Sequence, residues 1–194
     1  MNAAASDEIM GATRRALCEH GYAGLTMQDI ADESSMTTAA IHYHFDTKAD
    51  LLNAFLVELI ERFERRLVSD ASDPCERLAA FLGAIFVPTD ERDEDFPIAL
   101  MELKSQAPYQ EPYRERFVEM DRRMREVVTA AVRDGIDAGQ FETADPERVA
   151  RTVVTMINGS HARGVALGEA ADRTREVIET YLELQLGWAP EVPA

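Results

Sequence analysis

Apolar residues recur along most of the chain at the three- and four-residue spacing of a helix face, and no run alternates with the two-residue period of a half-buried strand. Glycines and prolines fall between these stretches, where they punctuate helices. Ser6, followed by Asp7 and Glu8, reads as the N-cap of a first helix that ends at His20–Gly21. Thr26 caps a short helix to Glu33, and Thr37 caps another to Phe45. Thr47 opens a long amphipathic helix to Ser69, with Leu52, Phe55, Leu59, Phe63 and Leu67 on one stripe. Asp73–Pro74 places a proline in the first turn of a helix carrying Leu78, Phe81, Leu82, Ile85 and Phe86, which Pro88 stops. Thr89 to Asp95 reads as an acidic surface loop, and a helix over Phe96 to Gln106 follows. A segment broken by Pro108 and Pro112 leads into a long helix with Phe117, Met120, Met124, Val127 and Val128, which runs to Ala138 and ends at Gly139. Asp145–Pro146 opens a helix to Leu167, and Asp172 caps the last one, to Leu186. The tail from Gly187 to Ala194 is expected to fray. The expected fold class is therefore all-α, with about nine helices and no internal repeat or flexible linker.

Within this pattern residues 26–45 form a distinct unit: a short helix, a turn at Ser34, Ser35 and Met36, and a second short helix. That is a helix-turn-helix. Met27, Ile30, Ala31, Met36 and Ile41 point to a small shared core, which leaves the second helix an outer face of Thr38, Ala39, His42 and Tyr43. Small residues there let a base edge approach closely, with polar and aromatic groups beside them. Both helices begin at a threonine, so backbone N–H groups at their starts are available to phosphates.

Composition narrows the classes. With 194 residues and 46% hydrophobic content, the chain can bury a sizeable core, as one helical body or as a small N-terminal domain and a larger second one. No stretch approaches the roughly 20 uncharged apolar residues of a membrane span. Met1 to Asp7 lacks the basic start and apolar run of a signal peptide. Cys18 and Cys75 match neither a disulfide nor a ligand pattern, so a reducing cytoplasm is the expected location. No cofactor or metal is expected. His42 and His44, two apart on a helix, point about 200° from each other and cannot share an ion. No glycine-rich phosphate loop or nucleophile signature supports an enzyme. The acidic runs Glu58, Glu61, Glu64 and Glu115, Glu119 follow solvent faces.

Charge complicates the reading. Asp and Glu total 36 against 20 Lys and Arg, for a net charge of −16, and the lysines are only Lys48 and Lys104. Acidic, lysine-poor composition resembles that of proteins from extremely salt-loving organisms. Salt near 1 M shrinks the screening length to roughly 3 Å, so carboxylates scarcely repel one another and mainly confer solubility. Net negative charge argues against DNA as a partner in dilute salt, where phosphate neutralisation dominates affinity. That objection weakens in concentrated salt.

Gly21-Tyr22, Leu25-Thr26-Met27, Ile30-Ala31, Met36-Thr37, Ile41-His42-Tyr43-His44-Phe45, Lys48 and Leu51-Leu52 stand at spacings that resemble the TetR-type DNA-binding domain over about residues 6–53. Three positions depart from the family's pattern. Ser35 replaces the usual turn glycine, which implies a serine in a left-handed conformation at a cost of about 1 kcal/mol. Ala39 stands where Gly or Pro is common, and His42 replaces the usual Tyr, making that contact pH-sensitive. The resemblance implies domains at 1–46 (DNA binding) and 47–194 (ligand binding and dimerisation). It implies that Thr26, Thr37, His42 and Lys48 hold phosphates. It also implies that Gln28, Thr38, Ala39, Ala40 and Tyr43 face bases. His44 is read as structural, packed and hydrogen-bonded between helices.

The stretches Asp134–Phe141, Asp145–Val149 and Asn158–Gly159 are similar to BetI-like regulators, a likeness that does not identify an effector. A ligand pocket would be lined by Phe63, Phe86, Met101, Tyr109, Phe117, Met120, Met124 and Met156, with Asn158 and His161 as polar members. The competing reading is that this Met and Phe stripe is plain core. Ala150, Val153, Val154, Ile157 and Gly164, with Val177, Ile178, Tyr181 and Leu182, would form a four-helix interface between two copies. The expected function is a homodimeric repressor that binds an inverted-repeat double-stranded operator and is released by a small-molecule effector. The alternative is a helical interaction protein without sequence-specific DNA binding. If the composition reflects a working medium of concentrated salt, diluting KCl from molar to 0.1 M will unfold the protein cooperatively. An unchanged melting temperature across that range rejects the reading.

Overall fold

A computed structural model of the chain describes residues 3–67, 71–86 and 96–188. Among them the chain forms nine α-helices and no strand: α1 (Ala3–Gly24), α2 (Met27–Asp32), α3 (Thr38–His42), α4 (Lys48–Leu67), α5 (Pro74–Phe86), α6 (Phe96–Gln106), α7 (Glu111–Asp137), α8 (Pro146–Leu167) and α9 (Ala171–Leu186). The all-α class and the helix count expected from periodicity are those observed. None of these helices is long and apolar enough to cross a membrane. The expected helix end at Ser69, the stop at Pro88, the acidic loop Thr89–Asp95 and the tail beyond Trp188 lie outside the described residues.

Four boundaries differ from the sequence reading. α1 already includes Ala3, so Ser6 lies inside the helix rather than capping it. The run Ala3-Ala4-Ala5 has the best intrinsic helix propensity and carries the helix upstream. α3 closes at His42, before Phe45. α7 begins at Glu111, so Pro112 sits in its first turn, where a missing N–H has no helical partner to lose. Ala170, without a side-chain cap, precedes α9, and Asp172 lies in the first turn, where its carboxylate faces the positive helix end.

The chain divides into two compact units, one of residues 1–62 and 90–118, the other of 63–89 and 119–194. The division falls inside α4 and α7, which contribute residues to both. In the first unit α1 packs on α2 and α6, and α2 on α3. Ile9, Leu17, Ile30, Ile41, Leu51, Leu52 and Leu103 are fully buried there. The buried hydroxyl of Thr13 donates to the carbonyl of Ile9 at 2.8 Å, and the Tyr113 phenol reaches the Ala49 carbonyl at 3.4 Å. Burial pushes the Tyr113 phenol above its ordinary range.

In the second unit α9 packs on α8 and α5. Ala150, Val153, Val154, Ile157, Ile178 and Leu182 are buried in this chain's own core, so they are not free to form an interface with a second copy. Of the expected interface residues Val177 does point outward, and Leu167 and Leu184 are the other outward apolar residues on these helices. The tail does not fray at Gly187: that glycine takes a left-handed turn, and Trp188 lies 2% exposed in the core, its indole N–H aimed at the Cys75 carbonyl at 3.4 Å.

The end of α7 explains a glycine that the sequence alone leaves unassigned. The chain wraps so that the N–H groups of Gln140 and Phe141 both donate to the Gly135 carbonyl, at 2.9 and 3.1 Å. The Phe141 ring then packs against Gly135, where a Cβ would stand 2.1 Å from the ring. Gly135→Ala should therefore displace that ring and lower stability by about 1–3 kcal/mol, the usual cost of overpacking. Thermal unfolding measures this, and Phe141→Leu in the same background should recover part of the loss.

Candidate nucleic-acid interface

The site begins with the break in α1. Gly21 has φ 65° and ψ 170°, a backbone region open essentially only to glycine. A Cβ there would also meet the Glu102 carboxylate at 2.9 Å. Glu102, on α6, accepts the Tyr22 N–H at 2.5 Å. From the other side the Lys48 ammonium donates to the carbonyls of Tyr22 and Leu25, both at 2.9 Å, and lies 4.8 Å from the centre of the Tyr22 ring. A carboxylate and an ammonium thus satisfy the backbone groups that the end of α1 leaves open.

This joint delivers the chain to Thr26, the N-cap of α2. The Thr26 hydroxyl oxygen accepts the Asp29 N–H at 3.2 Å, and the Asp29 carboxylate accepts both the hydroxyl and the N–H of Thr26 at 2.7 Å. This is a reciprocal capping box. The Thr26 hydroxyl and N–H, with a smaller contribution from His20, hold the Asp29 carboxyl below the usual carboxylate range. After α2 the turn is closed by side chains. Ser34 Oγ donates to the Ala31 carbonyl and accepts the Met36 N–H, while the hydroxyl and N–H of Ser35 both donate to Glu8 of α1, at 2.6 and 2.8 Å. Among the described residues no residue other than glycine has a positive φ, so Ser35 is not in the left-handed conformation expected of it. The turn avoids that conformation because Glu8 and Ser34 satisfy its polar groups directly. The hydrogen bonds from Ser35 hold the Glu8 carboxyl below its ordinary range.

Thr37 caps α3 by accepting the Ala40 N–H at 3.2 Å, and the fully buried Ile41 pins the helix to α2. Thr37, Ala39, His42 and Tyr43 are left exposed, Tyr43 at 86%, with Thr38 and Ala40 half-buried beside them. The Tyr43 ring meets His44 edge-on at 5.1 Å, and His44 is half-buried. Across the motif the Thr38 hydroxyl donates to Gln28 Oε1 at 2.6 Å, and Gln28 Nε2 donates to Asp32 at 2.7 Å. The structure therefore brings Gln28 and Thr38 into contact and leaves Thr26, Gln28, Thr37, Ala39, His42 and Tyr43 open to solvent.

Lys48 is the member whose placement differs most from a free phosphate clamp. It is half-buried, and two of its three N–H donors are committed to carbonyls. Between Thr26 and Lys48 the other ionised side chains are Asp29, Asp32, Glu33 and Asp46, and Glu33 is paired with Arg15 at 2.8 Å. Sequence reasoning missed Asp32 and Glu102. The signal for Asp32 was its position four residues after Gln28 on one helix face. Glu102, 80 residues from Tyr22, had none.

The residues expected around a ligand fall on both units. In the first, Met101 and Phe117 are half-buried, while Tyr109 stands 82% exposed instead of lining a wall. In the second, Phe63, Phe86, Met120 and Met156 pack at the edge of the core, and Met124 lies within it at 4% exposure. The Asn158 amide donates to the Val154 carbonyl of its own helix at 3.1 Å, and His161 is half-buried. Among the described residues no group of His, Cys, Asp and Glu is arranged to hold a metal ion.

A joint, two short capped helices and an exposed outer face are the parts of a DNA-reading helix-turn-helix. Residues 9–55 match the profile of the tetR family of bacterial regulatory proteins, and residues 74–187 match that of the C-terminal part of BetI-type transcriptional repressors. The chain belongs to the TetR family of DNA-binding transcriptional regulators. It is similar to the HTH-type transcriptional regulator BetI of Agrobacterium fabrum, at 26% identity over 190 residues, covering 94% of this chain and 88% of that one. The crystal structure of a TetR transcription regulator from Haloarcula marismortui superimposes with a TM-score of 0.89 at 40% identity, covering 95% of this chain and all of that one. A transcriptional regulator of Saccharomonospora viridis, solved in complex with choline, shares the fold at 21% identity with a TM-score of 0.84, covering 95% and 98% of the two chains.

The depressed Asp29 pKa makes the capping box pH-dependent. A carboxylate bound more tightly to its partners in the folded state stabilises fully above its unfolded pKa, and that contribution is lost as pH falls through the lower folded value. Carboxyl NMR should show Asp29 titrating below a free aspartate. Thr26→Val should return it toward the ordinary range, and an unchanged titration in that variant rejects the reciprocal cap.

Proposed function

We propose that this regulator binds an inverted-repeat operator as a homodimer, represses the genes beside it, and is released by a small-molecule effector. The observation that carries this reading is the exposed outer face of α3, held rigid by the buried Ile41 and by the caps at Thr26 and Thr37. Residues 1–46 read the DNA, and residues 47–194 carry the effector and the second subunit. Gln28, Thr38, Ala39, Ala40 and Tyr43 face bases, while Thr26, Thr37 and His42 position the backbone. Lys48 contributes its remaining N–H to a phosphate. The outward Leu167, Val177 and Leu184 on α8 and α9 are the apolar side chains there that a second copy could cover. A protein of the same fold from Saccharomonospora viridis was solved with choline, which supports a small-molecule effector here too, and Phe63, Phe86, Met120 and Met156 offer it an adaptable apolar edge.

A reading face with so few cations predicts an unusual salt response. Each cation–phosphate contact contributes about −0.9 to the slope of log affinity against log salt, so two lysine contacts per dimer give roughly −1.8. Sheared genomic DNA retained by the purified protein in concentrated KCl, then sequenced, should share an inverted repeat, and Thr38→Ala/Tyr43→Ala should lose it. The affinity for that repeat should fall only shallowly with salt, and a slope steeper than about −5 would mean that arginines from elsewhere carry the phosphates. No enrichment at any salt from a folded dimer would leave an interaction protein without sequence-specific DNA binding.

A further inference from the structure

The hydrogen bonds around Gln28 leave its amide with a defined and limited recognition capacity. A neutral amide has two N–H donors and an oxygen with two acceptor positions. The Asp32 carboxylate can only accept, so the group it faces at 2.7 Å must be the amide nitrogen, and the amide's orientation is fixed by chemistry. The amide oxygen is then free to accept the Thr38 hydroxyl at 2.6 Å. One donor and one acceptor are spent, and one of each remains on an exposed side chain.

In the major groove adenine alone presents an acceptor and a donor on one base, N7 and the N6 amino group. Guanine presents two acceptors, N7 and O6, and would need two donors. Cytosine offers a donor without an acceptor, and thymine an acceptor beside a methyl group. With Asp32 holding one N–H, Gln28 can give guanine a single hydrogen bond while its oxygen faces a second acceptor. Resting on the reading of this face as the DNA-binding surface, we infer that Gln28 selects an adenine in each half-site. Asp32 is the positioning residue that enforces the choice by occupying the amide's second donor. The selection does not require Asp32 to touch DNA. It assigns a function to a carboxylate whose presence beside phosphates is otherwise unfavourable.

The test is in vitro selection from a random double-stranded DNA library with the full-length protein in concentrated KCl, followed by competition between single-base variants of the selected site. The wild type should require adenine at one position per half-site, with a preference over guanine of about ten-fold or more, the usual discrimination of a bidentate contact. Gln28→Ala should lose that preference at that position and keep the others. Asp32→Ala frees the second N–H, so it should keep binding but narrow the adenine-over-guanine ratio at the same position. Circular dichroism confirms that both variants, altered at exposed positions, remain folded. A wild-type site whose base preferences are unchanged in Gln28→Ala overturns the inference. An adenine preference lost in Gln28→Ala but intact in Asp32→Ala overturns the role of Asp32. If the wild type enriches no site at all, the DNA-binding reading falls first and the inference with it.

Discussion

The placement of the helix-turn-helix depends on how the chain leaves α1. At Gly21 the backbone enters a conformation that no side chain tolerates, and two opposite charges close on the exposed peptide groups: Glu102 on the Tyr22 N–H, Lys48 on the Tyr22 and Leu25 carbonyls. Ionised partners make the stronger class of hydrogen bond, and each one here reaches across the sequence to tie α4 or α6 to the end of α1. Thr26 follows the Leu25 carbonyl immediately, so the direction of α2 and the position of its capping box are set by this joint. Lysine suits the place because a compact ammonium with three donors can serve two carbonyls and an aromatic face at once, which a planar guanidinium does less readily. A chain with eighteen arginines and two lysines keeps one of those lysines for structure.

That assignment changes the electrostatics of recognition. With Lys48 committed inward and Arg15 paired to Glu33, the segment from Thr26 to Lys48 presents chiefly hydroxyls, amides, a phenol and histidine at its surface. Neutral groups and backbone N–H donors can position a duplex, but they release few counterions and gain little from dilute salt. In concentrated salt the balance reverses: the entropic advantage of basic residues is largely gone, and directional hydrogen bonds retain their value. An acidic composition and a sparsely charged outer face are therefore compatible with DNA binding at high salt.

The helices were legible because their signals are local. Pro74, Pro146, Thr26 and Thr37 each mark an end through the conformation or cap they impose on adjacent residues, and those ends stand where periodicity places them. The exposed outer face of α3 was legible for the same reason, since Ile41 must point inward and its neighbours outward. What escaped the sequence is non-local. Glu8 satisfies Ser35 across 27 residues and spares it a left-handed backbone, so substituting serine for glycine there carries no strain. The apolar residues of α8 and α9 show a similar limit. Periodicity gives their common face but does not say whether that face packs within the chain or against another, and the burial of Val153, Val154 and Leu182 decides for the chain's own core.

In the second unit such ties separate a locked region from a looser one. Its α5 start, the turn after α7 and the end of α9 are joined by mutual satisfaction. Asp73 caps α5 and accepts the Gln140 amide, the Glu142 N–H donates to the Leu186 carbonyl, and the Trp188 indole faces Cys75. The Phe141 ring sealed on Gly135 fills the same region. Groups so interlocked cannot adapt to a guest without losing several hydrogen bonds and a buried aromatic surface together, a cost of several kcal/mol. Phe63, Phe86, Met120 and Met156 carry no such ties, are only partly buried, and include two unbranched thioethers that repack at small expense. Adaptability in this unit therefore concentrates on that edge.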